Sequence, residues 1–375
     1  MEFLKFYKTN IACKICKTSD NLVSQTLEVC LNCIREKPKE TEKYIVDAHK
    51  KSRSEFDLPP FPPKAKNGAK CKICVNECQI PLGEKGFCGL RTNEDGKLKN
   101  LTGKGAVVQW YYDRLPTNCV ADWVCPGCAN SGYPKYSYSK GPEYGYKNLA
   151  VFFGACSFDC LFCQNWHFRY LAEKPTKIKT VKQLVDMVDS RTSCICYFGG
   201  DPTPQINYAI KASKLALEKN KDRILRICWE TNGSMKKSLL KKAVKLSLES
   251  GGCIKFDLKT FNENLNKALT GVTNKRTLEN FEYVASFIKE RPDPPLLIAS
   301  TLIVPGYIDE KEVSDIANFI SDLNPKIPYA LLGFYPHFYM QDLPLTKREH
   351  AFRCKEVAEK AGLSNVKIGN LHLLS

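Results

Sequence analysis

The stretch NLAVFFGACSFDCLFCQN, residues 148–165, decides how this chain is read. Its apolar start, 148–153, has the length and composition of a buried strand. It delivers Cys156, Cys160 and Cys163 in C-x3-C-x2-C spacing. Three thiolates so placed suit a cubane iron–sulfur cluster. Such clusters normally take four thiolates. A set of three leaves one iron with an open position, the feature that separates catalytic metal sites from closed structural ones. A structural zinc site is the alternative, and it asks for a fourth ligand close by.

From this stretch to the carboxyl terminus the pattern is regular. Short apolar runs at 148–153, 194–198, 224–229, 253–257, 296–304 and 330–334 read as strands. Amphipathic segments at 181–189, 205–219, 236–249, 275–289, 310–321 and 346–361 read as helices. Strict alternation predicts an α/β fold, a parallel sheet with its helices outside. Six units fall short of a closed eight-fold barrel, so an open, partial (β/α)6 TIM-like barrel is expected over residues 148–375. In parallel α/β folds the chemistry sits at the carboxyl ends of the strands. After the second expected strand comes Gly199-Gly200-Asp201-Pro202-Thr203, after the third Glu230-Thr231-Asn232-Gly233, and after the fourth Asp257-Leu258-Lys259. Two glycines open backbone edges to close approach, and Asp201 offers a carboxylate to an ammonium group. Asp257 and Lys259, two apart, point to one face. Taken singly, these motifs also read as a tight loop, a helix-capping turn and an ordinary ion pair.

Together the motifs resemble the radical S-adenosylmethionine (SAM) superfamily, in its pyruvate formate-lyase activating-enzyme-like branch. The runs 268–280 (ALTGVTNKRTLEN) and 301–313 (TLIVPGYIDEKEV) match that branch in order and spacing. The runs 334–351 (FYPHFYMQDLPLTKREHA), 366–370 (VKIGN) and 71–91 resemble a subgroup often labelled AmmeMemoRadiSam. The resemblance covers about residues 70–375. It implies a [4Fe–4S] cluster on Cys156, Cys160 and Cys163, whose open iron is chelated by SAM. It implies reductive cleavage of SAM to methionine and a 5′-deoxyadenosyl radical that abstracts hydrogen. Phe162 stands where the family sets an aromatic against the adenine. Gly199, Gly200 and Asp201 stand at the SAM-amine motif, where the usual acid is Glu, longer by a methylene. Thr231 and Asn232, and Asp257 with Lys259, stand at runs that line the SAM pocket in the branch. The sharpest function implied is activation of a glycyl-radical enzyme; radical modification of another peptide, a nucleic acid or a small molecule is the alternative. An external flavodoxin- or ferredoxin-like electron donor is implied, and a protein substrate is compatible.

The amino-terminal half holds three more cysteine groups. Residues 1–36 carry Cys13-x2-Cys16 and Cys30-x2-Cys33, a zinc-ribbon pattern. Residues 37–69 end in a proline-rich run, LPPFPPKAKNG, and read as a stiff linker. Within 70–147, a Cys-rich accessory segment, Cys71, Cys74, Cys78 and Cys88 form a four-ligand set for zinc or an auxiliary cluster. Cys119, Cys125 and Cys128 lack an evident fourth partner. They read as a further ligand set, a redox pair, reactive thiols or ordinary buried cysteines.

Nineteen cysteines, with no recognisable signal peptide and no apolar run of membrane-spanning length, point to metal in a reducing, cytoplasmic compartment. The formal charge of +16 suits nucleic acid, an acidic protein or anionic substrates, or simply a lysine-rich solvated surface. It also supports a non-enzyme alternative, a metal-stabilised nucleic-acid-binding module. No P-loop, dinucleotide fingerprint or Ser-His-Asp pattern is present. His167 and His337 are candidates beside the site, though each reads first as a hydrogen-bonded structural histidine.

Overall fold

A computed structural model of the chain describes residues 11–117, 119–173 and 175–375. Its centre is a mixed, nine-stranded sheet. The strands are β1 (Ala106–Arg114), β2 (Lys147–Phe153), β3 (Thr192–Gly199), β4 (Arg226–Thr231), β5 (Ile254–Asp257), β6 (Leu297–Ile303), β7 (Tyr329–Gly333), β8 (Val366–Gly369) and a short piece at Ile178–Lys179. β2 to β8 lie side by side in chain order and pair in parallel. β1 runs antiparallel along β2 and carries the Ile178–Lys179 piece on its outer edge. The helices are α1 (Leu31–Glu36), α2 (Pro38–Ser54), α3 (Phe168–Glu173), α4 (Val181–Val185), α5 (Ile206–Lys219), α6 (Lys237–Ser250), α7 (Glu263–Thr270), α8 (Lys275–Ala285), α9 (Glu310–Leu323) and α10 (Arg348–Lys360).

Parallel strands in chain order take crossovers of one hand, which puts the helices on one face. Period-2 alternation then divides the residues. Ile195, Tyr197, Ile227, Trp229, Ile254 and Phe256 are buried in the core shared with the helices. Cys196, Cys228, Glu230, Lys255 and Asp257 face the other way. Helix ends follow local chemistry: α6 stops at Gly251, whose φ of +81° suits glycine and whose Cβ, if present, would meet the Tyr136 ring at 2.4 Å.

All six expected strands are present, with ends moved by at most two residues. The parallel run is longer than the six units expected. β8 is a seventh strand of four residues, too short to show a period, and β1 adds the antiparallel edge. The stretch 37–69 holds α2, a helix of 17 residues. Its buried face is Thr41, Ala48, His49, Ser52 and Arg53, mostly polar, so no hydrophobic periodicity announced it. Among the described residues, no helix is long and apolar enough to cross a membrane.

Candidate active site and metal centres

The loop after β2 carries Cys156, Cys160 and Cys163. Its backbone is pinned to the end of α7, with Asp159 N–H donating to Thr270 O (2.8 Å) and Leu161 N–H to Leu269 O (3.0 Å). Asp159, fully buried between two of the cysteines, is the loop's anchor. Its carboxylate takes Arg169 Nη2 at 2.7 Å, His49 Nδ1 at 2.9 Å and Ser52 Oγ at 2.5 Å, with Arg53 Nη1 at 3.8 Å. Burial alone would raise its pKa, but the cations around it, Arg169 foremost, hold it well below the carboxylate range. His49 also meets the carbonyls of Lys267 and Ala268 at 3.1 and 3.0 Å. Thus α2 braces the cysteine loop from beneath.

The strand-end motifs meet this loop. Gly200 N–H donates to Phe153 O (2.9 Å), and Asp201 N–H to Ala155 O (2.8 Å). A Cβ on Gly200 would lie 2.4 Å from Ala155 O, so glycine is what lets β3 end against the start of the loop. Both oxygens of Asp201 are already engaged inside the fold. They accept from Thr203 N–H (2.7 Å), Asn232 N–H (2.7 Å) and Thr231 Oγ1 (3.0 Å). Burial pushes the carboxyl up to about 6 despite these donors. Asn232 extends the link: its Nδ2 donates to Ser157 Oγ at 2.9 Å and reaches Cys156 Sγ at 3.7 Å. Phe158 N–H donates to the same sulfur at 3.3 Å.

On the other side, Lys259 Nζ pairs with Asp257 at 3.2 Å and stands 5.9 Å from the Phe162 ring centre. Asp257 is held by Ser300 Oγ at 2.7 Å and neighbours Lys255 Nζ at 3.7 Å. Lys255 in turn donates to Glu230 at 2.7 Å. Burial opposes charge on Asp257, but Lys259 and Lys255 outweigh it and keep the carboxyl ionised. His167 stacks on Phe152 (5.1 Å, 9°), a packing role. His337 is partly buried beside Tyr335, and burial lowers its pKa.

The other cysteine groups differ in geometry. Cys13, Cys16, Cys30 and Cys33 have sulfurs all within 4.8 Å of one another, and among the described residues they alone form such a group. Cys13–Cys33 and Cys16–Cys30 stand at 3.8 and 3.7 Å. A tetrahedral ion with metal–sulfur bonds of about 2.3 Å has sulfur–sulfur edges of about 3.8 Å. Burial works against the Cys13 thiolate, but backbone N–H groups of Cys16, Cys30 and Ile15 bring its pKa down to about 6. This module docks beside the loop after β6: Arg35 grips Asp309 twice at 2.7 Å and Glu312 at 2.8 Å. Cys71, Cys74, Cys78 and Cys88 line one small cavity of about 20 Å³. That segment is bound to the run after β4, with Val75 N–H on Ser234 O (2.9 Å), and to the cysteine loop, with Asn76 Nδ2 on Ser157 O (2.7 Å).

The radical SAM superfamily model matches residues 150–320. This part of the chain is a radical SAM domain. Its function is therefore enzymatic, of the oxidoreductase kind, so a nucleic-acid-binding module is not the whole account. An uncharacterized protein of Methanocaldococcus jannaschii is 27% identical over 81% of this chain and 82% of its own. The isethionate sulfite-lyase activating enzyme of Desulfovibrio desulfuricans is 32% identical over 39% of this chain and 45% of its own. The pyruvate formate-lyase 1-activating enzyme of Escherichia coli is 24% identical over 56% and 88%. The relation to activating enzymes is thus distant. A solved domain of pyruvate-formate lyase-activating enzyme from Bacteroides vulgatus aligns with TM-score 0.38 and 18% identity over 47% of this chain and 98% of its own.

The donor set fits an iron–sulfur cluster: three soft thiols on one loop, a carboxamide and an amide aimed at Cys156, and the Lys259 cation beside Cys160. Sequence reasoning passed over the Asp159–His49–Arg169 anchor, because His49 lies on a helix with no periodic signal.

Proposed function

We propose that Cys156, Cys160 and Cys163 hold a [4Fe–4S] cluster whose open position takes SAM, and that the enzyme abstracts hydrogen from a polypeptide. When bound and reduced, this pair supplies one-electron cleavage of the sulfonium C–S bond and a 5′-deoxyadenosyl radical. The chain's own residues position and enclose it. Asp159, His49 and Arg169 fix the cysteine loop. Asp201 acts through its neighbours, holding Thr231 and Asn232 so that the Asn232 carboxamide stays on Cys156. Gly199 and Gly200 leave backbone edges open, Phe162 offers a ring to the adenine, and Lys259, steadied by Asp257, offers a cation to an anionic group. In this reading the sheet is a partial barrel, Cys13, Cys16, Cys30 and Cys33 bind zinc, and Cys71, Cys74, Cys78 and Cys88 bind zinc or an auxiliary cluster. An external flavodoxin- or ferredoxin-like protein gives the electron.

The observation that carries the reading is the convergence of Asn232, Asp201 and Lys259, from three successive strand ends, on the cysteine loop. A polypeptide substrate, in its sharpest form a glycyl-radical enzyme, is supported by the two relatives named as activating enzymes. The test is electron paramagnetic resonance of anaerobically reconstituted, reduced protein. A cluster signal that SAM alters, and that Cys163→Ala abolishes, is expected; a signal indifferent to SAM sinks the reading. Deuterium carried from a labelled polypeptide into 5′-deoxyadenosine would support the substrate class, and label arriving only from small molecules would overturn it.

A further inference from the structure

A groove of about 510 Å³ runs along α2, the helix that braces the cysteine loop. Glu42, Ile45, Val46 and His49 fall at i, i+3, i+4 and i+7, so one stripe of the helix forms its first wall. Phe61 and Pro62 form the opposite wall, in a run whose prolines stiffen the chain. Phe61 is left 40% exposed, and Ile45 and Val46 are half-buried, so an apolar bed opens to solvent. Gly271, at φ +71°, completes the floor against His49; a Cβ there would stand 3.1 Å from Nδ1.

The floor is a single layer of side chains, and three of them touch the cysteine loop. His49 Nδ1 meets Asp159 at 2.9 Å, and Asn76 Nδ2 donates to Ser157 O at 2.7 Å. Val272 is buried in one apolar cluster with Phe158, against which Cys156 and Cys160 pack. Asp201, Asn232 and Lys259, which meet the loop from the strand ends, do not line the groove. The groove thus reaches the cysteines by a face that SAM and a polypeptide substrate leave free. Its rim is basic: Lys39, Lys64 and Lys267, all exposed, stand against the single acid Glu42.

Given the function proposed above, we propose that this groove docks the external electron donor, and that the donor is an acidic, flavin-carrying protein. Electron transfer weakens steeply with distance, and here one layer of side chains separates an outer surface from Cys156 and Cys160. The apolar bed receives the exposed edge of a flavin ring. The lysine rim attracts the partner's carboxylates and steers the encounter. Redox encounters of this kind bury under about 1,200 Å², a small contact that a groove with a charged rim can supply. The step moves one electron: the partner's flavin is oxidised, the cluster is reduced, and no bond is made or broken. Both walls lie outside residues 150–320, so this face is an addition to the radical SAM domain.

The test uses full-length, anaerobically reconstituted protein and a purified flavodoxin as the probe. Binding is measured by isothermal titration calorimetry at low and high salt. Formation of 5′-deoxyadenosine is measured separately with reduced flavodoxin and with dithionite. Lys39→Glu/Lys64→Glu alters the rim and Phe61→Asp the bed; Lys241→Glu/Lys242→Glu, exposed on α6, is the control. Each groove variant should weaken flavodoxin binding about tenfold and slow the flavodoxin-driven reaction, while the dithionite-driven reaction is unchanged. Salt should weaken binding to the unsubstituted protein. Unaltered binding in both groove variants, or an equal loss in the control, overturns the proposal. So does a dimer that Phe61→Asp makes monomeric with flavodoxin binding unaltered, which gives the groove to a second copy. Protein that forms no 5′-deoxyadenosine even with dithionite contradicts the proposed chemistry instead, and calorimetry still decides the surface.

Discussion

Cys13, Cys16, Cys30 and Cys33 stand with sulfurs at 3.7 and 3.8 Å, the edge length that a tetrahedral four-thiolate ion site requires. Cys156, Cys160 and Cys163 share one loop, and what meets their sulfurs is a carboxamide, a backbone amide and a lysine rather than a fourth thiol. The first set is compact: two knuckles bring all four sulfurs within 4.8 Å of one another, and the module is fixed to the rim by Arg35. The second depends on its surroundings, on α2 beneath it and on three strand ends beside it. In the proposed reading, the difference is that between a site built to hold a metal and one built to leave part of a metal free.

The largest effect expected outside the cysteines is at Asp159. Asp159→Ala leaves Arg169, Arg53 and His49 buried around a missing charge and should cost about 3–5 kcal/mol in denaturant unfolding. It should also loosen the cysteine loop, so iron content after reconstitution falls while zinc bound by the Cys13 module stays. Equal loss of both metals would break the comparison. Next is Asn232→Ala, which removes the carboxamide from Cys156 without touching a ligand. Loss of a group of this kind lowers metal affinity or turnover about 10–100-fold, readable as iron affinity and rate; an unchanged value in both would remove Asn232 from the account.

The smallest effect concerns docking of the amino-terminal module. Burial raises the Asp309 carboxyl, but Arg35 outweighs it and holds the group below its ordinary 3.8. The folded protein therefore binds fewer protons than the unfolded chain, so this contribution is present above pH 3.8 and fades as pH falls through the lower folded value. The pair is partly exposed, so its worth is under about 1 kcal/mol. Asp309→Asn keeps the cap on α9 and should flatten the acid limb of the stability–pH curve; a limb of unchanged slope counts against the pair.

Much of this was written in the sequence because it is local. The apolar runs and amphipathic segments fixed six strands and six helices, and each strand-end motif follows a strand that could be seen. β8 escaped because four residues carry no period, and α2 because its buried face is His49, Ser52 and Arg53 rather than leucines. The pairing of Asp201 with Thr231 and Asn232 is a contact between neighbouring strand ends, invisible until strand order is known.

The most direct test of the contrast between open and closed sites is SAM cleavage by chromatography of 5′-deoxyadenosine. Protein reconstituted with iron without oxygen is reduced with dithionite in the presence of SAM, and Cys160→Ala is compared with Cys33→Ala at a temperature where both stay folded. The account predicts product from the unsubstituted protein, none above background from Cys160→Ala, and product retained by Cys33→Ala. Product from Cys160→Ala at the unsubstituted rate, or a loss in Cys33→Ala as complete as in Cys160→Ala, would contradict it.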